Sequence, residues 1–207
     1  MSPSGRLALF LLPAALAAAG GAGRAAAQAQ APLRAVANVN ASVRVAPPPI
    51  LLESTRDLYF GYVGPGDVVT VPARPPYTAG TWSAGVRFSN LRKTVRYGIR
   101  LTLPTAISNG SVNLPVSWSG AQYGWLCVWN ATTSTAASCD AQQTTYDPSV
   151  HSGSGPYLTL DLPNNTPQNN VFAADVYVGG RLTVPAAQPL PPGTYSAPLT
   201  VTITVLN

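Results

Sequence analysis

Both cysteines and two of the four tryptophans of this 207-residue chain lie in one stretch, Tyr123–Asp140, with the sequence YGWLCVWNATTSTAASCD. A thiolate beside a base can act as a nucleophile or as a metal ligand, and an exposed tryptophan can stack on a sugar ring. An exported chain with two cysteines most economically forms one disulfide. We therefore expect a Cys127–Cys139 disulfide closing a hairpin loop, with free thiols or a bond to another chain as the alternatives.

Residues for catalysis are scarce. The one histidine, His151, lies in PSVHSGSG, where the neighbouring serines reflect a serine-rich loop rather than a triad. One histidine and two cysteines cannot supply the three or four ligands of a zinc site. The carboxylates that a glycosidase would pair show no diagnostic spacing: Asp140, Asp147 and Asp161. We therefore predict no enzymatic activity, no metal and no cofactor.

The tryptophans lie in the run WLCVW. In an extended strand, Trp125, Cys127 and Trp129 point to one side while Leu126 and Val128 point to the other. Because both sides are apolar, the pattern favours a central strand that is covered on both faces. Buried tryptophans are the favoured interpretation, and a carbohydrate platform built on Trp125 or Trp129 is the alternative.

A basic segment, RFSNLRKTVRYGIR, interleaves positive charges with Phe88 and Tyr97. Such a pattern suits nucleic-acid binding, but alternation places Arg96 and Arg100 on the polar side of a strand. Removal of a signal peptide also leaves only a small excess of basic over acidic residues. We predict a solvated basic face, with contact to an acidic partner surface as the alternative, and no nucleic-acid partner.

The N-terminus has the features of a secretory signal peptide. A basic start precedes the apolar run LALFLLPAALAAAGGAG, and RAAAQAQA then supplies small residues at A-x-A spacing. We predict a signal peptide over residues 1–27, with cleavage after Ala27 or alternatively after Ala29. No other stretch approaches the ~18 apolar residues of a membrane-spanning helix, so we expect no membrane insertion after cleavage.

Composition and periodicity predict an all-β sandwich domain over residues 47–207. Charged residues make up 9 % of the chain, against about 25 % in typical domains. Apolar and polar residues alternate in short runs that turn signals separate, a pattern typical of β-sandwiches. Leu58, Phe60 and Tyr62 are predicted on one face of a strand that leads through a Gly-Pro-Gly turn into a return strand.

The C-terminal sequence TYSAPLTVTITVLN predicts a long amphipathic strand that begins at Tyr195 and reaches the last residue. Its outer face is rich in threonine. Its predicted core side comprises Tyr195, Leu199, Val201, Ile203 and Val205.

The segment over residues 28–46 also contains an alternating pattern. Between Ala35 and Val45, small apolar residues occupy the odd positions and mainly polar residues the even ones. The proline triplet Pro47–Pro49 then removes three backbone donors and ends any sheet ladder. This segment is predicted either to pair with its own domain or to be donated to a neighbour, with four donor candidates: Val39, Ala41, Val43 and Val45.

Both ends of the chain resemble a known group. VRVAPPPILLESTRDLYFGYVGPGDVVTVP near the start, and VGGRLTVP followed by PPGTYSAPLTVTITVLN at the end, resemble bacterial secreted domains related to the spore coat protein U family and to chaperone–usher pilus subunits. The likeness covers roughly residues 36–72 and 172–207. It implies an immunoglobulin-like, pilin-like sandwich, which strand exchange between subunits would complete after a periplasmic chaperone has held the subunit.

Two functions follow as expectations. The first is a non-enzymatic structural subunit of a bacterial surface filament, which self-assembles by β-strand addition in the periplasm, at the cell surface or outside the cell. The second is a self-contained secreted module that binds carbohydrate or a surface through Trp125 or Trp129. Exposure of the tryptophans distinguishes them.

Overall fold

A computed structural model describes residues 50–162, 171–187 and 189–206 of the protein. The predicted signal peptide (1–27) and the predicted donor segment (28–46) lie outside these described residues. The donor candidates Val39, Ala41, Val43 and Val45 therefore lie outside them as well.

The described residues form strands in three antiparallel sheets, which confirms the all-β prediction. The five-stranded sheet has the order β1 (Leu51–Arg56), β3 (Ala84–Arg92), β10 (Val171–Val178), β7 (Gly124–Asn130), β8 (Gln142–Tyr146). The four-stranded sheet has the order β2 (Val68–Val71), β11 (Gly180–Thr183), β6 (Asn113–Ser117), β5 (Ala106–Ser108). The three-stranded sheet has the order β12 (Thr200–Leu206), β4 (Arg96–Thr102), β9 (Leu158–Leu160).

One hydrophobic core joins the inner faces of the three sheets in a sandwich-like arrangement. Strand β4 shows how the sequence builds it, because Tyr97, Ile99 and Leu101 are buried while Arg96 and Thr102 are exposed. Period-2 alternation places every second side chain on one face of a strand. The polar side of the basic segment therefore points away from the core, as its alternation predicted.

A single glycine allows the chain to cross from one sheet to another. Strand β10 ends at Val178 and β11 begins at Gly180, so Gly179 alone carries the chain from the five-stranded to the four-stranded sheet. A side chain at Gly179 would collide with the backbone of Val71 and Pro72. Close backbone approach, rather than conformational freedom alone, requires glycine here.

The C-terminal strand is shorter than predicted. It begins at Thr200, so Tyr195 and Leu199 precede it, although both side chains are buried. Pro198 lacks a backbone donor and interrupts the ladder, which explains the late start. Within β12, Val201 and Ile203 are buried and Val205 is half-buried.

The first strand also differs from the prediction. Strand β1 comprises Leu51–Arg56, whereas the predicted strand through Leu58, Phe60 and Tyr62 is reduced to one bridge between Tyr59 and Trp82. Leu58 and Phe60 are buried, but Tyr62 is 73 % exposed. Gly61 has φ +81°, which breaks the extended geometry that alternation needs.

We expect Ile203→Ala to lower the free energy of unfolding by about 2–5 kcal/mol, because it leaves a cavity in the core. Its neighbour Thr202 lies on the outer face, so Thr202→Ala should change stability by no more than about 0.5 kcal/mol. Urea unfolding followed by circular dichroism measures both. Equal effects of the two substitutions would contradict the orientation of β12.

Candidate functional site

Strand β7 is covered on both faces, as its sequence predicted. Leu126 and Val128 belong to the main core, while Cys127 and Trp129 form a second cluster with Ala173 on the other side of the same sheet. This second side is the outer face of the five-stranded sheet. We use "outer-face cluster" for the residues that cover it: Arg87, Trp125, Trp129, Asp175, Tyr177 and the disulfide.

The disulfide holds a loop against this outer face. Cys127 in β7 is bonded to Cys139, which precedes β8, with 4.9 Å between their Cα atoms. Strands β7 and β8 pair antiparallel, so the bond closes a hairpin as expected. Ala136 and Cys139 pack onto the second cluster. The loop is therefore a lid over part of the sheet, although most of its residues are exposed.

Hydrogen bonds at its base order this loop. Asn130 accepts at its backbone carbonyl from the Ser134 N–H (2.8 Å) and donates its own N–H to Asp140 Oδ1 (3.0 Å). Thr132 Oγ1 accepts from the N–H of Val171 at the start of β10 (2.9 Å). Desolvation raises the pKa of Asp140, but hydrogen bonds from the Asn130 N–H and from serine hydroxyls outweigh it and lower the pKa overall. The charged carboxylate of Asp140 thus holds the base of the hairpin through these hydrogen bonds.

An ion pair lies at the centre of the outer face. Asp175 on β10 is 1 % exposed and lies opposite Arg87 on β3. Arg87 donates through Nε to Asp175 Oδ1 (2.8 Å) and through Nη2 to Oδ2 (2.9 Å). Tyr177 also donates its hydroxyl to Oδ2 (3.1 Å). These three donors satisfy a carboxylate that would otherwise be costly to bury.

The pKa values of Arg87 and Tyr177 are raised within this ion-pair cluster. The hydrogen bond from Arg87 to Asp175 raises the pKa of the Arg87 guanidinium, although desolvation by burial acts in the opposite direction. Burial, followed by the charge of Asp175, raises the pKa of Tyr177 to about 12. Tyr177 therefore remains a hydrogen-bond donor at neutral pH.

Other groups cover the two tryptophans of the outer face. Trp129 is 5 % exposed, and the Arg87 guanidinium lies 5.0 Å from its ring centre. Trp125 is half-buried and stacks on Tyr177, with 5.1 Å between ring centres and 21° between planes. The Arg74 guanidinium lies 5.4 Å from the Trp125 ring. A sugar ring has no access to Trp129, and Trp125 already has an aromatic stacking partner.

The sequence pattern missed the most exposed tryptophan, Trp82. It is 37 % exposed, and its ring lies 4.6 Å from that of Tyr59 at an angle of 32°. Two backbone hydrogen bonds, of 2.8 and 3.0 Å, join the same two residues. Tyr59 lies within the predicted strand through Leu58 and Phe60, but Trp82 stands in no alternating run, so the sequence offered no signal for this pair.

Of the residues weighed for catalysis, His151, Asp140 and Asp147 form hydrogen bonds to backbone groups and serines. His151 Nδ1 lies 3.0 Å from the Pro156 carbonyl oxygen, and the His151 backbone carbonyl accepts from the Leu101 N–H (2.9 Å). Asp147 accepts from the backbone of Gly120 (2.7 Å) and from Ser149. Among the residues that the structure describes, no three His, Cys, Asp or Glu side chains are grouped to hold a metal ion.

The basic segment is largely engaged within the fold. Arg87 is paired with Asp175, as described above. Arg100 lies 4.1 Å from the Tyr157 ring centre and donates to the Gly155 carbonyl (3.0 Å). Arg96 alone of these three is exposed. The prediction of a solvated face therefore fails for Arg87, because a partner 88 residues away in sequence neutralises it.

A small apolar recess lies at the inner side of the four-stranded sheet. Residues of the Phe60–Val63 segment and of this sheet enclose a volume of about 10 Å³, which is room for about one water molecule. Its side-chain lining is apolar apart from one hydroxyl: Phe60, Val63, Ile107, Leu114, Leu182 and Tyr195. The Tyr195 hydroxyl donates to the Pro191 carbonyl (3.1 Å).

No protein-family model, curated protein or solved structure matches the chain. Over residues 50–162, 171–187 and 189–206, no helix has the length and apolar character needed to cross a membrane.

We expect Cys127→Ser with Cys139→Ser to lower the free energy of unfolding by about 3 kcal/mol, because the bond restricts a short loop in the unfolded chain. The lid should also loosen over Trp129, so acrylamide should quench tryptophan emission more strongly. Ala137→Ser, an exposed change in the same loop, is the control. Unchanged stability and quenching in the double variant would show that the disulfide does not hold the lid.

We expect Arg87→Met to destabilise the fold by roughly 3–5 kcal/mol, because it leaves the Asp175 carboxylate buried without its main partner. Asp175→Asn should cost less, about 1–3 kcal/mol, because one-third of the Arg87 side chain is exposed to solvent. The double variant should cost less than the sum of the two. The control is Glu53→Gln, at an exposed position opposite Arg87. Strictly additive effects would argue against coupling.

Proposed function

We propose that the protein is an exported, non-enzymatic structural subunit of a bacterial surface filament or pilus-like envelope assembly, in which chains join by β-strand addition. In this proposal residues 1–27 direct export, and the sandwich is immunoglobulin-like. A periplasmic chaperone or a second copy of the chain is the partner. The alternative of a carbohydrate module built on Trp125 or Trp129 gains no support from those side chains, because both are engaged within the outer-face cluster.

The observation that carries the proposal is the apolar recess beside the Phe60–Val63 segment. Its lining comes from the inner faces of β5, β6 and β11 together with Phe60, Val63 and Tyr195. Most of these side chains are buried and the recess has room for about one small group, so it favours the tip of one apolar side chain as its occupant. In the sequence, the alternation of Ala35–Val45 gives Val39, Val43 and Val45 one common side, which suits insertion from an added strand.

The sheet edges are consistent with strand addition. Among the described residues β1 is an edge strand of the five-stranded sheet, and it begins at Leu51, just after the proline triplet. Leu51 is 57 % exposed. An edge strand offers unpaired backbone groups to another strand. In the sequence the proline triplet stands between the alternating segment and β1, and its missing backbone donors favour a segment that diverges from β1.

The test uses the chain from Gln28 onward with two matched double variants. Val39→Asp with Val43→Asp places charges on the apolar side of the alternating segment. Asn38→Asp with Asn40→Asp adds the same charge on its polar side. We expect the wild type and the asparagine variant to form assemblies. The valine variant should remain monomeric and melt at a lower temperature than the assemblies, because it lacks the stabilisation that an added strand supplies. Light scattering and thermal unfolding measure both.

Two outcomes would contradict the proposal. Assemblies that survive the valine substitutions would exclude this segment as the donor. A wild type that stays monomeric, together with a lower melting temperature of the valine variant, would show that the segment completes its own domain.

A further inference from the structure

The turn between β5 and β6 contains a reactive dipeptide. Residues Asn109–Val112 join the two strands, and Asn109-Gly110 is the one Asn-Gly pair of the whole sequence. Gly110 has φ +92°, and a Cβ built there would meet no atom within 4 Å. No side chain at Gly110 therefore hinders the approach of its backbone nitrogen to the Asn109 side chain.

The side-chain carbonyl of Asn109 is held by three donors. Its Oδ1 accepts from the N–H of Ser111 (3.1 Å), from the Ser111 hydroxyl (3.0 Å) and from the N–H of Val112 (2.9 Å). Donors fixed around a carbonyl oxygen stabilise the negative charge that develops on it when a nucleophile attacks the carbon. These donors therefore draw electron density toward Asn109 Oδ1 and make the side-chain carbon Cγ more reactive toward a nucleophile.

The nucleophile has a proton acceptor in place. The N–H of Gly110 donates to the Ser108 hydroxyl (3.0 Å). Ser108 is the last residue of β5, where both its backbone groups are hydrogen-bonded to Ser196, so its position is fixed by the sheet. A hydroxyl in this place can pass the amide proton on to hydroxide from solvent.

From these contacts we propose that Asn109 is a self-modification site, at which the folded turn promotes conversion of asparagine to aspartate and isoaspartate. The Gly110 nitrogen loses its proton through Ser108 to hydroxide and bonds to Asn109 Cγ. The Cγ–Nδ2 bond then breaks, and ammonia leaves with a proton from water. Water opens the resulting five-membered imide at either carbonyl, so the net change is gain of water and loss of ammonia.

The modification would alter the hairpin that lines the recess. Ile107 pairs with Leu114 and Ser108 with Asn113 across the turn, and both apolar residues of the first pair line the recess. Aspartate adds a negative charge there, and isoaspartate adds a carbon to the backbone of the turn that sets the register of these pairs. The chemistry at Asn109 does not depend on the proposed assembly function.

The test follows the amide-to-acid mass increase by peptide mapping after incubation of the folded, disulfide-intact protein in mildly alkaline buffer. Asn113 is the internal control, because it is exposed in the same hairpin but precedes Leu114. We expect Asn109 to convert at least about tenfold faster than Asn113, a barrier difference of about 1.4 kcal/mol. Ser108→Ala and Ser111→Ala should each slow the conversion at least about threefold. The first removes the hydroxyl that accepts the Gly110 proton, and the second removes a hydroxyl that donates to Asn109 Oδ1.

A second arm compares the folded chain with the same chain reduced and unfolded in urea. Conversion of Asn109 that is at least as fast in the folded protein supports promotion by the turn. Faster conversion in urea, or equal rates in the wild type and both serine variants, would overturn the proposal and show that the hydrogen bonds protect the amide. Melting temperatures of the variants establish that each is folded.

Discussion

Strand β7 is apolar on both faces, so the five-stranded sheet requires a cover on each side. The main core supplies the inner cover. No second sheet lies over Cys127 and Trp129 among the described residues, and the chain instead folds the loop between the cysteines back over its own strand. This loop is polar and rich in threonine and serine, so it has little apolar surface of its own to bury. The disulfide therefore keeps the loop in place.

The same requirement explains the ion pair on β10. This strand lies between β3 and β7, and its outer side carries Asp175 between Ala173 and Tyr177. A buried carboxylate is tolerated when it is paired and fully hydrogen-bonded. The neighbouring strand supplies Arg87, whose guanidinium also covers Trp129. One arginine thus neutralises the buried charge and completes the cover of the aromatic ring.

This cover has a consequence for function. The outer face, which carries the residues with the most promising chemistry in the sequence, is occupied by the protein's own side chains. Exposed apolar side chains lie elsewhere, at the turn that carries Tyr62 and at the pair of Tyr59 and Trp82. Both contain residues of the segment after β1, so contacts with another chain or ligand are better sought there than at the disulfide hairpin. The proposed assembly function uses the recess.

The sequence by itself determined the all-β class, the two-sided burial of WLCVW and the core side of β12. Each follows from which residues fall on the two faces of a strand, and the two-residue period of a strand makes that visible in a short stretch of sequence. It did not determine the start of β12, where Pro198 interrupts an otherwise regular pattern, or the loss of the strand through Leu58, where Gly61 turns the chain. The tertiary structure alone decided that Arg87 pairs with Asp175, that Trp82 is exposed, and that a loop covers the outer face. These features join residues far apart in sequence, and their stability comes from shared burial, which no local pattern encodes.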